Sequence, residues 1–176
     1  MARIYQICQA SDAPRLTAEE SVRRSLLPFD GSSKRGLIPS DKVQVSEAAP
    51  GTDPLSFWSF ESGVLVYQET LYNQFATPED SPYYTFLICG EFITFKSKSA
   101  YYVAINPTAI FTDFSTGAQE SLTCDSPLFR LRDHAQTDLF CLEGTNCPGN
   151  EFKHEYERCG LRGLIFQECW RQGESA

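Results

Sequence analysis

The chain has 176 residues, enough for one domain with a substantial core, and a formal net charge of −8. That charge argues against nucleic acid or an anionic membrane as the main partner, whereas it suits a basic protein. Its 13 Phe, 8 Tyr and 2 Trp are typical of sheets and interfaces rather than of a helical bundle.

The apolar segments and the cysteines of the chain together predict its cellular compartment. The N-terminal stretch 1–15 has no apolar segment of signal-peptide length, and no stretch approaches the ~20 apolar residues that span a bilayer. We therefore expect a cytoplasmic protein with no membrane partner, whose thiols are free rather than joined in a disulfide framework. The seven cysteines, an odd number, are Cys8, Cys89, Cys124, Cys141, Cys147, Cys159 and Cys169.

The first half of the chain predicts short elements separated by loops. Alternation in residues 3–8 favours a strand. Thr17-Ala18-Glu19-Glu20 has the form of a capping box, at the start of a helix that Pro28 ends. Residues 64–67 have the composition of a strand, and the helical spacing of the apolar residues in 69–75 predicts a helix directly after it.

From Tyr83 onward the chain predicts one strand after another, because short segments rich in β-branched and aromatic residues are bounded by Gly, Asn, Pro and Ser. Cys89-Gly90 is a candidate hairpin turn between the first two. The predicted fold class is α+β, a largely antiparallel sheet with about three short helices in a single domain over residues 1–176. The predicted strands are 84–88, 91–95, 101–105, 110–114, 128–131 and 139–142.

The stretch 151–170 predicts a helix, a tight turn and a closing strand. Asn150 is the expected N-cap, and the charge of Glu151 suits the helix N-terminus. Gly160 stands where a left-handed C-terminal residue belongs. The apolar run 161–170 after it predicts a short buried strand.

Charge is distributed unevenly along the chain. No Lys or Arg lies between Lys42 and Lys96, while that interval holds seven acids. This pattern predicts an acidic face built from the middle of the chain; the alternative is that these acids only keep the protein dispersed in water. As partner-binding residues on that face we predict Glu61, Glu69, Glu79, Asp80 and Glu91.

No pattern predicts a catalytic site or a cofactor. The one metal-like spacing is Cys141, Cys147, His154 and Cys159, which could make a tetrahedral zinc site, yet it lacks closely spaced Cys pairs. Buried or partly exposed free thiols are the simpler interpretation. His134 lies in a polar stretch that we expect to be an exposed hairpin loop. We therefore predict no metal, no cofactor and no catalytic residue.

Three blocks carry a family resemblance. They are Tyr102-Val103-Ala104-Ile105-Asn106-Pro107 followed by Asp113 and Ser115; Leu128-Phe129-Arg130-Leu131 with Leu139-Phe140; and Glu151-Phe152 leading to Gly160-Leu161-x-Gly163-Leu164-x-Phe166. In this order they resemble immunity proteins of bacterial polymorphic toxin systems, the family first described from myxobacterial-type sequences. The resemblance covers roughly residues 60 to 170, and residues 1–45 match it less clearly.

The resemblance implies a non-enzymatic protein that binds a cognate protein toxin and neutralises it by direct contact. Such a family has no catalytic residues to carry over, and its contact residues vary. Two alternatives from other classes stay open: a small hydrolase-like cytoplasmic enzyme with a Cys or His site, and a structural or scaffolding domain of a larger assembly. The sequence leaves self-association undetermined.

Overall fold

The computed structural model describes residues 1–18, 20, 43–45, 53–60, 63–97, 100–112, 126–134, 138–145 and 147–173. The helix predicted after the capping box lies outside these residues, apart from Glu20, which is helical. Thr17 itself belongs to a strand rather than to a helix cap. Residues 113 and 114, the end of one predicted strand, also lie outside the described residues.

The first sheet has five strands in the order β11-β1-β10-β9-β8. All neighbouring pairs are antiparallel except β8 and β9, which are parallel. The two ends of the described chain meet here, because β1 lies between β10 and β11. The strands are β1 (Arg3–Gln9), β8 (Ile110–Phe111), β9 (Leu128–Leu131), β10 (Phe140–Glu143) and β11 (Leu164–Arg171).

The second sheet is antiparallel throughout, with four strands in the order β4-β5-β7-β6. A separate ladder joins β2 to β3. These strands are β2 (Leu16–Ala18), β3 (Val43–Val45), β4 (Phe57–Trp58), β5 (Leu65–Gln68), β6 (Glu91–Lys96) and β7 (Tyr101–Asn106). The structure thus confirms the predicted α+β class with mostly antiparallel pairing, and it divides the strands between two sheets.

The helices are short. Two α-helices, α1 (Tyr83–Cys89) and α2 (Phe152–Arg158), accompany three 3₁₀ helices in the described part of the chain: Glu69–Gln74, Arg132–His134 and Pro148–Asn150. The helix predicted over 69–75 is therefore a 3₁₀ helix. None of the described helices is long and apolar enough to cross a bilayer.

The strand predicted over 84–88 is wrong, because these residues form helix α1. Cys89-Gly90 is not a hairpin turn but the helix end and the residue after it. Gly90 has φ +155°, and a Cβ there would lie 2.2 Å from the carbonyl oxygen of Asn106. The backbone of strand β7 therefore approaches the chain directly after α1.

One core lies between the two sheets. It joins Tyr5, Ile7 and Cys141 of the first sheet to residues of the second, including Tyr67 and Val103. Phe57 is fully buried at its centre, with ring centroids 5.8–6.0 Å from those of Tyr67, Phe86, Phe152 and Tyr156. The core thus binds both sheets and both α-helices together.

The structure confirms part of what the sequence predicts for residues 151–170. Helix α2 forms, and Gly160 has φ +65°, in the left-handed region. The N-cap position is Glu151 rather than Asn150, and its buried carboxylate accepts hydrogen bonds from Gly144 N and Thr145 N. Strand β11 is not a short buried strand: it has eight residues, lies at a sheet edge and exposes Ile165.

Candidate partner-binding surface

Helix α1 is apolar on both of its faces. Thr85, Phe86 and Cys89 are buried. The opposite stripe, at helix positions i, i+1, i+4 and i+5, is exposed by 39, 63, 43 and 38% at Tyr83, Tyr84, Leu87 and Ile88 respectively. An amphipathic surface helix normally presents polar residues to water. A contiguous exposed apolar patch on a helix is a candidate for an interaction surface.

The buried face holds α1 rigidly in place. The Phe86 ring stacks on Phe152 of α2 at a centroid distance of 5.3 Å. Thr85 Oγ1 donates a 2.7 Å hydrogen bond to the carbonyl of Gly149, before α2. Cys89 Sγ donates within the helix to Thr85 O at 3.1 Å. The apolar stripe is therefore presented by an anchored element and needs no folding step before it binds.

A groove runs beside the exposed stripe, between the 3₁₀ helix 69–74 and α1. It encloses about 480 Å³, within the range of roughly 300–1,000 Å³ of ligand sites. Tyr72 and Tyr83, which both line it, contact each other edge to face, with centroids 5.2 Å apart. The groove is lined by Tyr72, Asn73, Phe75, Ala76, Thr77, Pro78, Ser81 and Tyr83.

Hydrogen bonds hold the outer wall of this groove, residues 77–81, in a compact turn. Thr77 Oγ1 donates to Asp80 Oδ2 at 2.9 Å, and Asp80 N donates to Thr77 O at 3.2 Å. Ser81 Oγ donates to Pro78 O at 3.0 Å and accepts from Tyr83 N at 3.3 Å. The turn connects directly to α1, so the Asp80 carboxylate is set in a defined position relative to the helix.

Three of the five predicted acidic residues accompany this surface. Glu69 begins the 3₁₀ helix that carries Tyr72, while Glu79 and Asp80 lie in the turn, and all three are exposed. Glu61 lies outside the described residues. Glu91 is not on the surface: it is 9% exposed, and Asn106 Nδ2 donates to its Oε2 at 3.4 Å. The prediction of a surface carboxylate at Glu91 is corrected accordingly.

The cation next to the turn is engaged in the protein itself. Arg158 of α2 donates from Nη2 and Nε to Glu155 Oε2 at 2.6 and 2.9 Å, and from Nη2 to the carbonyl of Asp80 at 3.1 Å. Glu155 is buried, so this pair adds little net charge. The contact fastens the turn to α2 and leaves the exposed carboxylates Glu79 and Asp80 as the charge of this wall.

Cys141, Cys147, His154 and Cys159, the residues with metal-like spacing, do not form a metal-binding group in the structure. No group of three metal-binding side chains occurs in the described part of the chain. Cys147 is disulfide-bonded, so the expectation of free thiols is wrong at this position, whereas Cys141 and Cys159 are free and buried. His154 is exposed on α2. The side chain of His134 lies outside what the structure describes.

The thiols have the opposite character to that of a catalytic nucleophile. Burial raises the pKa of Cys159 to about 11 and those of Cys89 and Cys141 well above the ordinary value. Cys8 lines a second cavity of about 250 Å³, where burial first and the charge of Asp138 second raise its pKa. Reactive cysteines instead have a lowered pKa. These thiols act as small apolar side chains.

Sequence reasoning missed the residues of the exposed stripe because it assigned them to a strand. Pro82 was the available signal: proline suits the start of a helix, and here it is the N-cap residue of α1. The spacing of Thr85, Phe86 and Cys89, at i, i+1 and i+4, is also that of one helix face.

Comparisons of the chain with protein-family models, with curated proteins and with solved structures found no match. The resemblance of the three sequence blocks to immunity proteins therefore stays a prediction.

Proposed function

We propose that this chain is a non-enzymatic immunity protein, which binds a cognate basic protein toxin and neutralises it by direct contact. The observation that carries the proposal is the exposed apolar stripe of α1 beside the exposed carboxylates Glu69, Glu79 and Asp80. The family resemblance supplies the biological role, and the surface supplies the means of binding.

The composition of this surface suits a tight interface. Tyrosine is enriched among the residues that contribute most to binding, and such residues cluster in a desolvated centre surrounded by polar groups. Tyr83 and Tyr84 stand at the start of the stripe with rings 5.7 Å apart, next to the acidic turn. Acidic residues at a rim accelerate the encounter with a basic protein and reject acidic ones.

The proposal places the protein in the cytoplasm of the cell that it protects. Five of the six described cysteines are free, as expected of a reducing compartment, and Cys147 is the exception. Differential alkylation in intact cells followed by mass spectrometry tests this placement. Cytoplasmic protein should contain the two accessible free cysteines, Cys8 and Cys169, as thiols, whereas their quantitative oxidation in cells would contradict the placement.

Co-expression with the toxin encoded by the neighbouring gene tests the function. The wild-type chain should protect the cells and co-purify with the toxin. The double variant Tyr84→Ser/Leu87→Ser should lose protection, because two central contacts of about 2 kcal/mol each raise the Kd at least about 100-fold.

Ile165→Ser is the matched control, since Ile165 is exposed on β11, outside the stripe. It should protect like the wild type. Ile165→Ser and the double variant Tyr84→Ser/Leu87→Ser should both retain the wild-type free energy of unfolding within about 0.5 kcal/mol, because only surface side chains are changed. Full protection by a folded Tyr84→Ser/Leu87→Ser variant would refute this surface, and absence of a wild-type complex at low salt would refute the function.

The same assay distinguishes an immunity protein from an enzyme. An enzyme with a thiol or imidazole site predicts that a single substitution of one Cys or His abolishes protection while the chain stays folded. The immunity function predicts instead that Cys8→Ser and His154→Ala protect normally.

A further inference from the structure

The groove beside α1 has the features of a site for one cationic side chain. Tyr72 and Tyr83 present aromatic surfaces that meet edge to face at 5.2 Å. The hydroxyl groups of Tyr72 and the fully buried Tyr67 lie 2.6 Å apart, which fixes the Tyr72 ring against the core. The ring that forms the inner wall is therefore held in one orientation.

Negative charge lies beside the groove, next to its lining residues Thr77, Pro78 and Ser81, although neither Glu79 nor Asp80 lines it. Asp80 Oδ2 is hydrogen-bonded to Thr77, which lines the groove, and Glu79 is exposed beside it. No Lys or Arg occurs between Lys42 and Lys96, the interval that supplies every lining residue. The neighbouring cation, Arg158, is already paired with Glu155.

A groove with aromatic lining and with carboxylates beside it suits a guanidinium group better than an ammonium group. The planar guanidinium stacks on aromatic rings and presents five N–H donors to carboxylates, and it sheds water more readily than an ammonium. The protein already places a cation over tyrosine twice, with Lys153 Nζ 4.9 Å from the Tyr5 centroid and Lys96 Nζ 5.0 Å from that of Tyr101.

We propose that the groove between the 3₁₀ helix 69–74 and α1 binds an arginine side chain of the partner protein. The guanidinium stacks against Tyr83 and donates to the Asp80 carboxylate, while the apolar stem of the arginine lies along Phe75 and Ala76. The adjacent stripe of α1 then packs on the apolar residues that surround this arginine in the partner protein. This inference rests on the proposed function, because it names the anchor of the same interface.

A capped tripeptide with arginine between two glycines provides a probe that requires no toxin. Titrated into the full chain, it should shift the backbone amide resonances of Asn73, Ala76, Thr77, Ser81 and Tyr83 with saturation. The matched peptide with citrulline, which has the same shape without the charge, should bind at least about tenfold more weakly, because it loses the charge-assisted hydrogen bonds. Lysine in the same position should fall between the two.

Asp80→Asn and Asp133→Asn form a pair of variants for the same titration. Asp80→Asn should weaken arginine binding several-fold, because Asp80 is hydrogen-bonded to the lining residue Thr77. Asp133→Asn removes an exposed carboxylate from the 3₁₀ helix 132–134, which contributes no residue to the groove, and should leave binding unchanged. Equal binding of the arginine and citrulline peptides, or shifts confined to other residues, would overturn the arginine site. The comparison of the arginine and citrulline peptides uses the wild-type chain and so does not depend on the folding of a variant.

The two proposals fail separately. If the arginine peptide binds in the groove but no toxin is captured, the proposed function is refuted and the site stands. If the toxin is captured through the α1 stripe with unchanged Kd for Asp80→Asn, the arginine site is refuted and the function stands.

Discussion

Gly163 and Gly160 both have positive φ, +90° and +65°, yet they differ in what surrounds them. A Cβ at Gly163 would lie 2.3 Å from the carbonyl oxygen of Phe57, whereas nothing lies within 4 Å of one at Gly160. The clash involves backbone, because Phe57 N donates to Arg162 O at 2.8 Å and keeps the two segments together. Gly163 therefore fixes how closely the C-terminal stretch approaches β4.

We expect Gly163→Ala to lower the free energy of unfolding by about 3 kcal/mol, at the upper end of ordinary substitutions. Gly160→Ala should cost only about 1–2 kcal/mol, the penalty of the left-handed conformation alone. Urea denaturation of the two variants measures the difference. Equal losses would show that the approach of Phe57 is not a steric constraint.

The surroundings of Glu143 make the stability of the fold depend on pH. Burial raises its pKa, but hydrogen bonds from Lys153 Nζ at 2.8 Å and Tyr5 Oη at 2.9 Å outweigh burial, so the pKa falls below its ordinary value of 4.5. A lowered carboxyl pKa contributes stability above pH 4.5, and this contribution disappears as the pH falls through the folded-state pKa.

Glu143→Gln should therefore lower the free energy of unfolding by about 1 kcal/mol at pH 7 and by much less at pH 3. Denaturation at both pH values measures this difference. Glu168→Gln is the control, because its partner Arg171 is 39% exposed and such surface pairs contribute less than about 1 kcal/mol. A Glu143→Gln deficit that persists at pH 3 would assign its effect to packing instead of to charge.

At the scale of elements, the sequence predicts most strands of the two sheets, but neither helix α1 nor strand β2, whose Thr17 and Ala18 it assigns to a capping box. Strands β5, β7, β9 and β10 are buried along most of their length because both faces of each sheet are covered: the outer faces contain clusters around Trp58 and around Phe129. The segment Tyr83–Cys89 is equally apolar, so composition alone cannot distinguish it from a strand. One face of it packs on Phe152, and the other face is also apolar but exposed.

The same ambiguity limits prediction of the candidate site. Exposure of Glu69, Glu79 and Asp80 followed from their position in polar, turn-forming sequence. Glu91 has the same charge but begins β6 directly after Gly90, where the close approach of β7 buries it. Burial of a single carboxylate depends on which strand lies opposite, and that information is not local in the sequence.

Strand β11 is an edge strand of eight residues, which needs protection against pairing with other chains. Cys169 is an extra residue in its pairing with β1, since Ile4 pairs with Trp170 and Tyr5 with Glu168. Such a bulge twists the edge. Glu168 and Arg171 form an ion pair along it at 2.7 Å. Bulge and charges together disfavour pairing between copies.

Replacing both charges, in Glu168→Val/Arg171→Val, should make the protein self-associate with increasing concentration. The edge then becomes a long apolar strand with unpaired backbone groups. Size-exclusion chromatography with light scattering measures the change in mass. The exchanged pair Glu168→Arg/Arg171→Glu keeps the charges and should elute like the wild type. If the valine variant also elutes like the wild type, the bulge alone protects the edge.

At the scale of the whole molecule, the shared core predicts that the two sheets unfold together. The Phe57 ring of the second sheet contacts Tyr67 of that sheet, Phe86 of α1 and both Phe152 and Tyr156 of α2. The same cluster includes Tyr5 and Cys141 of the first sheet. Neither sheet can separate without exposing this core. The chain should therefore behave as one cooperative unit.

The two tryptophans allow this to be measured, because Trp58 lies in the second sheet and Trp170 in the first. Trp58→Phe leaves a reporter on the first sheet, and Trp170→Phe leaves one on the second. Each substitution lowers stability by its own amount, so each fluorescence curve is compared with the far-ultraviolet circular dichroism of the same variant. Coincident urea midpoints in both variants are expected of one domain. In one variant only, the fluorescence midpoint could precede the dichroism midpoint. That result would show that the sheet with the remaining tryptophan unfolds first, and the chain would then consist of two domains instead of one.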